Sequence, residues 1–241
     1  MAARRAKPFE WLTTGRIVAV LVLGALALAG RTWLAENPQH DPWAPLDLRQ
    51  ERGWATGTKL AALQSEIPAC RATLARSDVA FTALDPVGEG ACRREDRLTS
   101  GDLPLSPGSP QITCPVAAGL VMWLEQDVDR LARDIIGAPL QRVEQLGTYS
   151  CRRMYGASDA PWSEHATGNA IDISAFVLED GQRVSVLADW NGDANEARFL
   201  RAVRDAACQS FGTVLSPDYN AAHADHFHLD QGRSPGFGAC R

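Results

Sequence analysis

The chain has 241 residues, of which 45% are hydrophobic and 22% are charged, a composition that suits one globular domain with additional segments. The formal net charge of −5 argues against a nucleic-acid-binding protein, because such proteins usually present a basic face. No run of like charges stands out along the sequence.

The N-terminus resembles an export signal, with a basic segment at residues 1–16 and an apolar segment at residues 17–35. Ile17 to Gly30 contains no polar side chain. The segment is either a cleaved signal peptide or an uncleaved anchor, and Arg31, just beyond the candidate cleavage site, favours the anchor. Because the basic flank stays in the cytoplasm, we expect an inner-membrane protein whose domain faces the periplasm, or a protein secreted into the periplasm if the signal is cleaved.

Residues 36–57 contain three prolines and no sustained periodicity, so we expect a linker there. A single domain is expected to follow at residues 58–241. Its first elements are a short helix over Thr58–Ile67, a strand over the alternating residues Val79–Leu84, and a loop over Gly101–Gln111.

The second half of the domain alternates predicted strands with two helices. Apolar residues recur at helical spacing over Val116–Ile136 and over Asn195–Phe211. The predicted strands are Val143–Cys151, a hairpin of Asn169–Val177 with Arg183–Leu187, Thr213–Leu215 and Asp225–Asp230. This mixture predicts an α+β domain in which helices flank an antiparallel sheet.

All six cysteines follow the apolar segment, and an even number in an exported chain predicts disulfides. Six cysteines allow 15 pairings, and the sequence does not choose among them. Our working hypothesis pairs Cys70–Cys92, Cys114–Cys151 and Cys208–Cys240. No CxxC pair is present, which disfavours a structural zinc site.

Four of the five histidines lie in two short stretches, SEHATGNAID (Ser163–Asp172) and HADHFHLD (His223–Asp230). His226 and His228 are two residues apart, so in a strand they point to the same face. Together with His165 and Asp172 they could supply the three ligands of a hydrolytic zinc site. Taken alone, either stretch could also be a satisfied hydrogen bond or a polar strand face. A cysteine nucleophile is disfavoured because no cysteine looks free, and a serine nucleophile because no GxSxG occurs.

SEHATGNAID resembles the S-x-H-x-x-G-x-A-x-D motif of the zinc D-Ala-D-Ala carboxypeptidases and the vancomycin-resistance dipeptidases. These belong to a wider group that includes lysostaphin-type enzymes and the hedgehog domain. DHFH is similar to the D-H-x-H of the carboxypeptidases. The longer context, with ITCP, TYSCR, HADHFHLD and GACR, resembles the bacterial extensin-like C-terminal domain family from about Cys70 to Arg241.

The resemblance implies one zinc ion bound by His165, Asp172 and His228. It implies Asp225 as the carboxylate base and Arg152, next to Arg153, as the cation that binds the substrate oxyanion. The resemblance also implies that Ser163 helps to hold the substrate peptide. By position, Trp162 beside it could line a substrate groove, and His226 would hydrogen-bond the oxyanion or steer Asp225. His223 is expected to be a supporting or surface residue.

In an ideal strand, Asp225 would face away from His226 and His228. The base role therefore requires Asp225 to precede the strand or to lie on a bulge. Otherwise His226 or Glu164 becomes the better base.

Three functions fit this pattern. The first is a zinc peptidase of the cell envelope that hydrolyses peptidoglycan peptides. The second is a catalytically silent module of the same fold that binds or scaffolds the wall. The third is a zinc amidase or esterase with another substrate.

Overall fold

A computed structural model describes residues 8–192, 194–233 and 238–241. The basic residues Arg4, Arg5 and Lys7 of the predicted cytoplasmic segment lie outside these ranges. Helix α1 covers Pro8–Glu36. Its portion Thr14–Glu36 has 23 residues, and an 18-residue window within it has a mean hydropathy of 2.0 and no buried residue. By length and composition, this helix could cross a membrane. A signal sequence would satisfy the same criterion.

The segment predicted as a linker packs on the domain. A 3-10 turn forms at Pro38–His40, and Leu46 and Leu48 are buried in the hydrophobic core. The side-chain amide of Gln126 donates to the carbonyls of Leu48 and Gln50 at 2.9 and 2.8 Å. These residues therefore belong to the domain core instead of leading up to it.

Two short helices, α2 at Thr56–Ala62 and α3 at Ile67–Arg76, occupy the place of the single helix predicted at Thr58–Ile67. Short strands β1 (Thr82–Ala83) and β2 (Leu98–Thr99) pair with each other. The predicted strand Val79–Leu84 is thus reduced to two residues. The predicted loop at Gly101–Gln111 contains the two-residue strand β3, Leu105–Ser106.

The long helix predicted at Val116–Ile136 is confirmed. It begins as α4, Cys114–Trp123, and continues without a break through Leu124–Val128, α5 (Asp129–Leu131) and Ala132–Ile136. Gly137 ends it in the left-handed region, at φ 99°, as glycines at helix C-termini commonly do. Every residue of α4 is buried, so this helix forms the centre of the core.

The remaining elements are strands β4 (Leu140–Gly147), β5 (Ala170–Leu178) and β6 (Arg183–Ser185), helices α6 (Val186–Asp189) and α7 (Asn195–Ala207), and strands β7 (Thr213–Leu215) and β8 (Phe227–Asp230). Within the described residues, six strands form one sheet in the order β3-β4-β5-β8-β7, with β6 also paired to β5. The pairing is antiparallel except between β3 and β4, which are parallel. Mixed helices and sheet confirm the α+β class.

Three disulfides join Cys70–Cys114, Cys92–Cys151 and Cys208–Cys240. The hypothesised pairs Cys70–Cys92 and Cys114–Cys151 are therefore wrong, whereas Cys208–Cys240 is found. Helix α3 packs on α4, and this packing brings Cys70 to Cys114 rather than to its neighbour in sequence. Disulfides of this kind fit a domain outside the cytoplasm.

Candidate metal centre

Strands β5 and β8 bring the two conspicuous sequence stretches together. Their antiparallel register places Asp172 directly opposite His228. Residues opposite each other on neighbouring antiparallel strands project from the same face of the sheet. The carboxylate and the imidazole therefore meet without any contribution from a mobile loop.

His165 is positioned by the turn that precedes β5. It lies in a 3-10 turn at Glu164–Ala166, where the Ser163 hydroxyl accepts a hydrogen bond from the His165 backbone N–H. Gly168 has φ +75°, and a Cβ atom there would lie 3.2 Å from Nε of the buried Arg94. Only glycine suits that backbone conformation and that close approach. The motif spacing thus turns the chain from His165 into the strand that carries Asp172.

The ligand atoms of His165, Asp172 and His228 form a nearly equilateral triangle. His165 Nε2 lies 3.2 Å from Asp172 Oδ1 and 3.1 Å from His228 Nδ1. The third side, from His228 Nδ1 to Asp172 Oδ1, measures 3.1 Å. The three side chains could hold a metal ion.

The charges of this cluster are strongly coupled. Burial of Asp172 opposes its ionisation, but hydrogen bonds from His165 and His228 outweigh burial and lower its pKa. Burial also opposes protonation of His228, yet its contacts with Asp172 and Asp230 raise its pKa to about 9. These contacts favour the ionised carboxylate of Asp172 and the protonated imidazole of His228.

Asp230 is a functional candidate that the sequence analysis missed. Its Oδ2 lies 2.9 Å from His228 Nε2, on the side of the ring opposite the ligand triangle. Its other oxygen accepts a hydrogen bond from the Gly232 N–H at 2.9 Å. Asp230 follows His228 by two residues in the same strand, so the alternation of side chains could have indicated it.

Asp225 precedes β8, as the base role requires, but its carboxylate contacts a neighbouring ring and not the ligand triangle. Asp225 Oδ1 lies 2.7 Å from His226 Nδ1, and the Asp225 side chain is 55% exposed. The other ring nitrogen, His226 Nε2, lies 3.6 Å from Asp172 Oδ1. His226 therefore stands between Asp225 and the cluster.

An open cleft surrounds the triangle, and of two adjacent arginines only Arg152 lines it. Arg152, Ser163 and His226 line the cleft, together with Met154 and Tyr155, which the sequence analysis did not identify. Arg153 instead donates to the Ala160 carbonyl at 2.5 Å and covers the Trp162 ring at 4.7 Å.

Trp162 and Glu164 line a neighbouring groove that reaches the other side of His228. Burial raises the pKa of the Glu164 carboxyl, and its Oε2 accepts a hydrogen bond from Asn169 at 2.7 Å. The same groove includes Ser163 and Met154, so it adjoins the cleft. Of the two candidate bases other than Asp225, His226 is the one that lines the cleft itself.

His223 supports the cleft wall. Its Nδ1 lies 2.8 Å from Asn220 Oδ1, and because an amide oxygen only accepts, the ring donates there. Its ring packs against those of His226 and His228, with centroid distances of 5.2 and 5.9 Å. Burial, together with these two imidazoles, lowers its pKa to about 4. His223 is therefore a neutral, buried neighbour of the cluster.

Fold and site together define a disulfide-bonded α+β domain with a His–Asp–His cluster in an open cleft. The family model described as Extensin-like protein C-terminus matches residues 68–241, and the chain belongs to this family. Comparisons with curated proteins and with solved structures find no match.

Proposed function

We propose that the triangle of His165, Asp172 and His228 binds one zinc ion. Zinc held tetrahedrally at about 2.0–2.1 Å from nitrogen and oxygen ligands needs ligand atoms about 3.3 Å apart. The separations of 3.1–3.2 Å fit that requirement. Two imidazoles in the donor set favour zinc over calcium or magnesium, which prefer oxygen ligands.

The proposed activity is that of a zinc-dependent peptidase of the cell envelope that hydrolyses peptide bonds in peptidoglycan stems or cross-links. The observation that carries it is the three-ligand triangle in a cleft open to solvent, because catalytic zinc sites leave a fourth position free. The motif's resemblance to D-Ala-D-Ala peptidases supports the substrate class and a hedgehog-type fold. The apolar helix and the disulfides support an inner-membrane anchor with the domain in the periplasm.

Bound zinc would supply Lewis acidity and lower the pKa of a water molecule towards neutrality. Proton transfer falls to His226 in this proposal. A carboxylate only accepts hydrogen bonds, so Asp225 fixes the proton of His226 on Nδ1 and leaves Nε2 as an acceptor facing the cluster. His226 Nε2 takes the proton of the attacking water and passes it to the leaving amine, while Asp225 orients the ring.

Arg152 and Ser163 are proposed to contact the substrate. Arg152 is exposed at the cleft, where its positive charge would stabilise negative charge that develops on the carbonyl oxygen. The Ser163 oxygen accepts the His165 N–H, and its own hydroxyl hydrogen remains available for a peptide carbonyl. Trp162, in the adjoining groove, would flank the bound peptide.

Digestion of purified muropeptides, followed by mass spectrometry, tests the activity. The zinc-loaded full chain is expected to shorten or separate peptide stems, and His228→Ala to abolish the reaction. His40→Ala removes a histidine far along the sequence from the motifs and serves as the matched control, with activity retained. Unchanged muropeptides with the zinc-loaded chain would refute the peptidase. If that inactive chain retained intact peptidoglycan, the result would favour a wall-binding module. If it hydrolysed other acyl substrates, the result would favour an amidase or esterase.

A further inference from the structure

The end of α1 and the start of the domain share an aromatic cluster. The rings of Trp33 and His40 are stacked with centroids 5.2 Å apart. Trp54 meets both rings edge-on, at 6.2 Å from Trp33 and 5.3 Å from His40. Trp33 belongs to α1, whereas Trp54 lies two residues before α2, so the cluster joins the apolar helix to the folded domain.

Polar contacts fasten the same junction. Lys59 Nζ donates to the Pro38 carbonyl at 2.6 Å, and the Trp54 indole N–H donates to the His40 carbonyl. A Cβ atom at Gly53 would overlap the Gln39 carbonyl, so glycine permits the close approach there. The chain between α1 and α2 is therefore held on the domain, and the domain cannot swing freely at the end of the helix.

Tryptophans at this junction are unusually exposed. Trp43 is 87% and Trp54 is 73% exposed, the highest values among the exposed large hydrophobic side chains of the described residues, and Trp33 is 45% exposed. Adjoining exposed apolar side chains, such as those of Trp33 and Trp54, mark interaction sites. Trp43 lies in the segment between α1 and α2. Tryptophan, with an apolar ring and a polar N–H, is enriched where a membrane meets water.

We propose that Trp33, Trp43 and Trp54 lie in the headgroup region on the outer face of the bilayer that α1 spans, and that they hold the domain against this face. The position of α1 indicates that a bilayer covers these tryptophans. The 23-residue span is about 35 Å long, which is enough for a hydrocarbon core of about 30 Å. This span ends beside the aromatic cluster. Because the proposed contacts with the membrane are made by aromatic rings and not by charged groups, neutral phospholipids should be sufficient for docking.

This inference rests on the proposed anchoring role of α1 and is independent of the metal. Its consequence is a fixed position for the cleft. A domain docked on the membrane without a free linker reaches only material close to the membrane surface. Substrates would then come from the membrane-proximal part of the envelope.

Fluorescence quenching in bilayers tests the docking. The full chain is reconstituted into phosphatidylcholine vesicles whose lipids carry bromine near the headgroup end of the acyl chain. Trp43→Phe and Trp54→Phe are each expected to remove a component of the emission that the brominated lipid quenches. Trp162→Phe is the matched control, since Trp162 is 41% exposed but lies in the groove beside the cleft; it should remove only unquenched emission.

Two results would overturn the proposal. One is that Trp43→Phe and Trp54→Phe remove only emission that brominated lipids leave unquenched, which would place both rings in water. The other is a mass spectrum of the membrane-extracted chain that lacks α1, because cleavage would separate Trp33 from Trp54. Neither result bears on zinc binding or on muropeptide hydrolysis, so the two proposals fail separately.

Discussion

At the scale of single residues, Asp230 and Asp225 lie outside the ligand triangle, and each contacts a different histidine of the site. Asp230 contacts Nε2 of His228, the ring nitrogen outside the triangle, and thereby orients a proposed zinc ligand. Asp225 contacts the outer nitrogen of His226 and thereby orients the proposed base. Removal of Asp230 should therefore affect zinc binding, whereas removal of Asp225 should affect the rate of hydrolysis.

Asp230→Asn is expected to weaken zinc binding by about 10–100-fold, as loss of a carboxylate behind a ligating histidine usually does. Asp225→Asn should leave zinc affinity unchanged and lower the rate of peptide hydrolysis by about 10²–10⁴-fold, the usual contribution of acid–base catalysis. Competition titration with a zinc chelator and muropeptide kinetics measure the two effects. Equal losses of zinc affinity in both variants would contradict the proposal that only Asp230 supports zinc binding.

Zinc binding should depend on pH because the pKa of His228 is raised to about 9 in the metal-free protein. Zinc binds the neutral imidazole, so binding at neutral pH must displace a proton. Apparent affinity should rise about tenfold per pH unit up to about pH 9 and then level off. Calorimetry in buffers of different ionisation enthalpy would count the released proton. A zinc affinity that does not change between pH 6.5 and 8.5 would contradict the raised pKa of His228.

At the scale of elements, the sequence predicted what depends on local periodicity. The long helix ending at Gly137, the β5–β6 hairpin and Thr213–Leu215 follow from repeats of apolar residues and from turn chemistry. The strand expected from Asp225 instead begins at Phe227, because the chain first forms the Ala221–His223 turn. This shift decides how Asp225 is oriented, and periodicity does not encode it.

Long-range packing accounts for the other differences. Alternation at Val79–Leu84 indicated a strand, but β1 has only the two-residue β2 to pair with. Disulfide partners depend on which elements pack together, and sequence spacing carries no such information. The prolines of residues 36–57 likewise indicated a linker, although Leu46 and Leu48 fill the core.

Leu48→Ala tests whether this segment belongs to the domain. Leu48 is fully buried, and replacing a core leucine by alanine costs about 2–5 kcal/mol of unfolding free energy. Leu187→Ala is the matched control, because Leu187 is 66% exposed and surface changes usually stay within about 0.5 kcal/mol. Denaturant unfolding measures both, and an unchanged stability of Leu48→Ala would mean that the segment is detached.

At the scale of the whole molecule, the disulfides connect distant parts of the chain, and one of them ends beside the cleft. Cys92–Cys151 spans 59 residues and ends next to Arg152 in the cleft. Cys208–Cys240 spans 32 residues and ties the end of the chain to the residue after α7. Only the first constrains a proposed substrate-binding residue directly.

Cys92→Ala with Cys151→Ala should therefore lower stability by up to about 4 kcal/mol. It should also lower kcat for muropeptides, because Arg152 would no longer be held where it stabilises the charge that develops on the carbonyl oxygen. Cys208→Ala with Cys240→Ala should lower stability by a similar amount while leaving kcat unchanged. Unfolding curves and steady-state kinetics on the full chain distinguish the two pairs. A lowered kcat in both would show that the effect is global and not local to Arg152.

We propose above that one zinc ion is held by His165, Asp172 and His228. Elemental analysis after equilibrium dialysis against buffered zinc measures this occupancy. We predict one zinc per chain for the wild type and for His223→Ala, whose ring lines the cleft without belonging to the triangle, and loss of zinc in Asp172→Asn and His228→Ala. A wild type without stoichiometric zinc, or a zinc content that survives loss of Asp172 and His228, would contradict the claim.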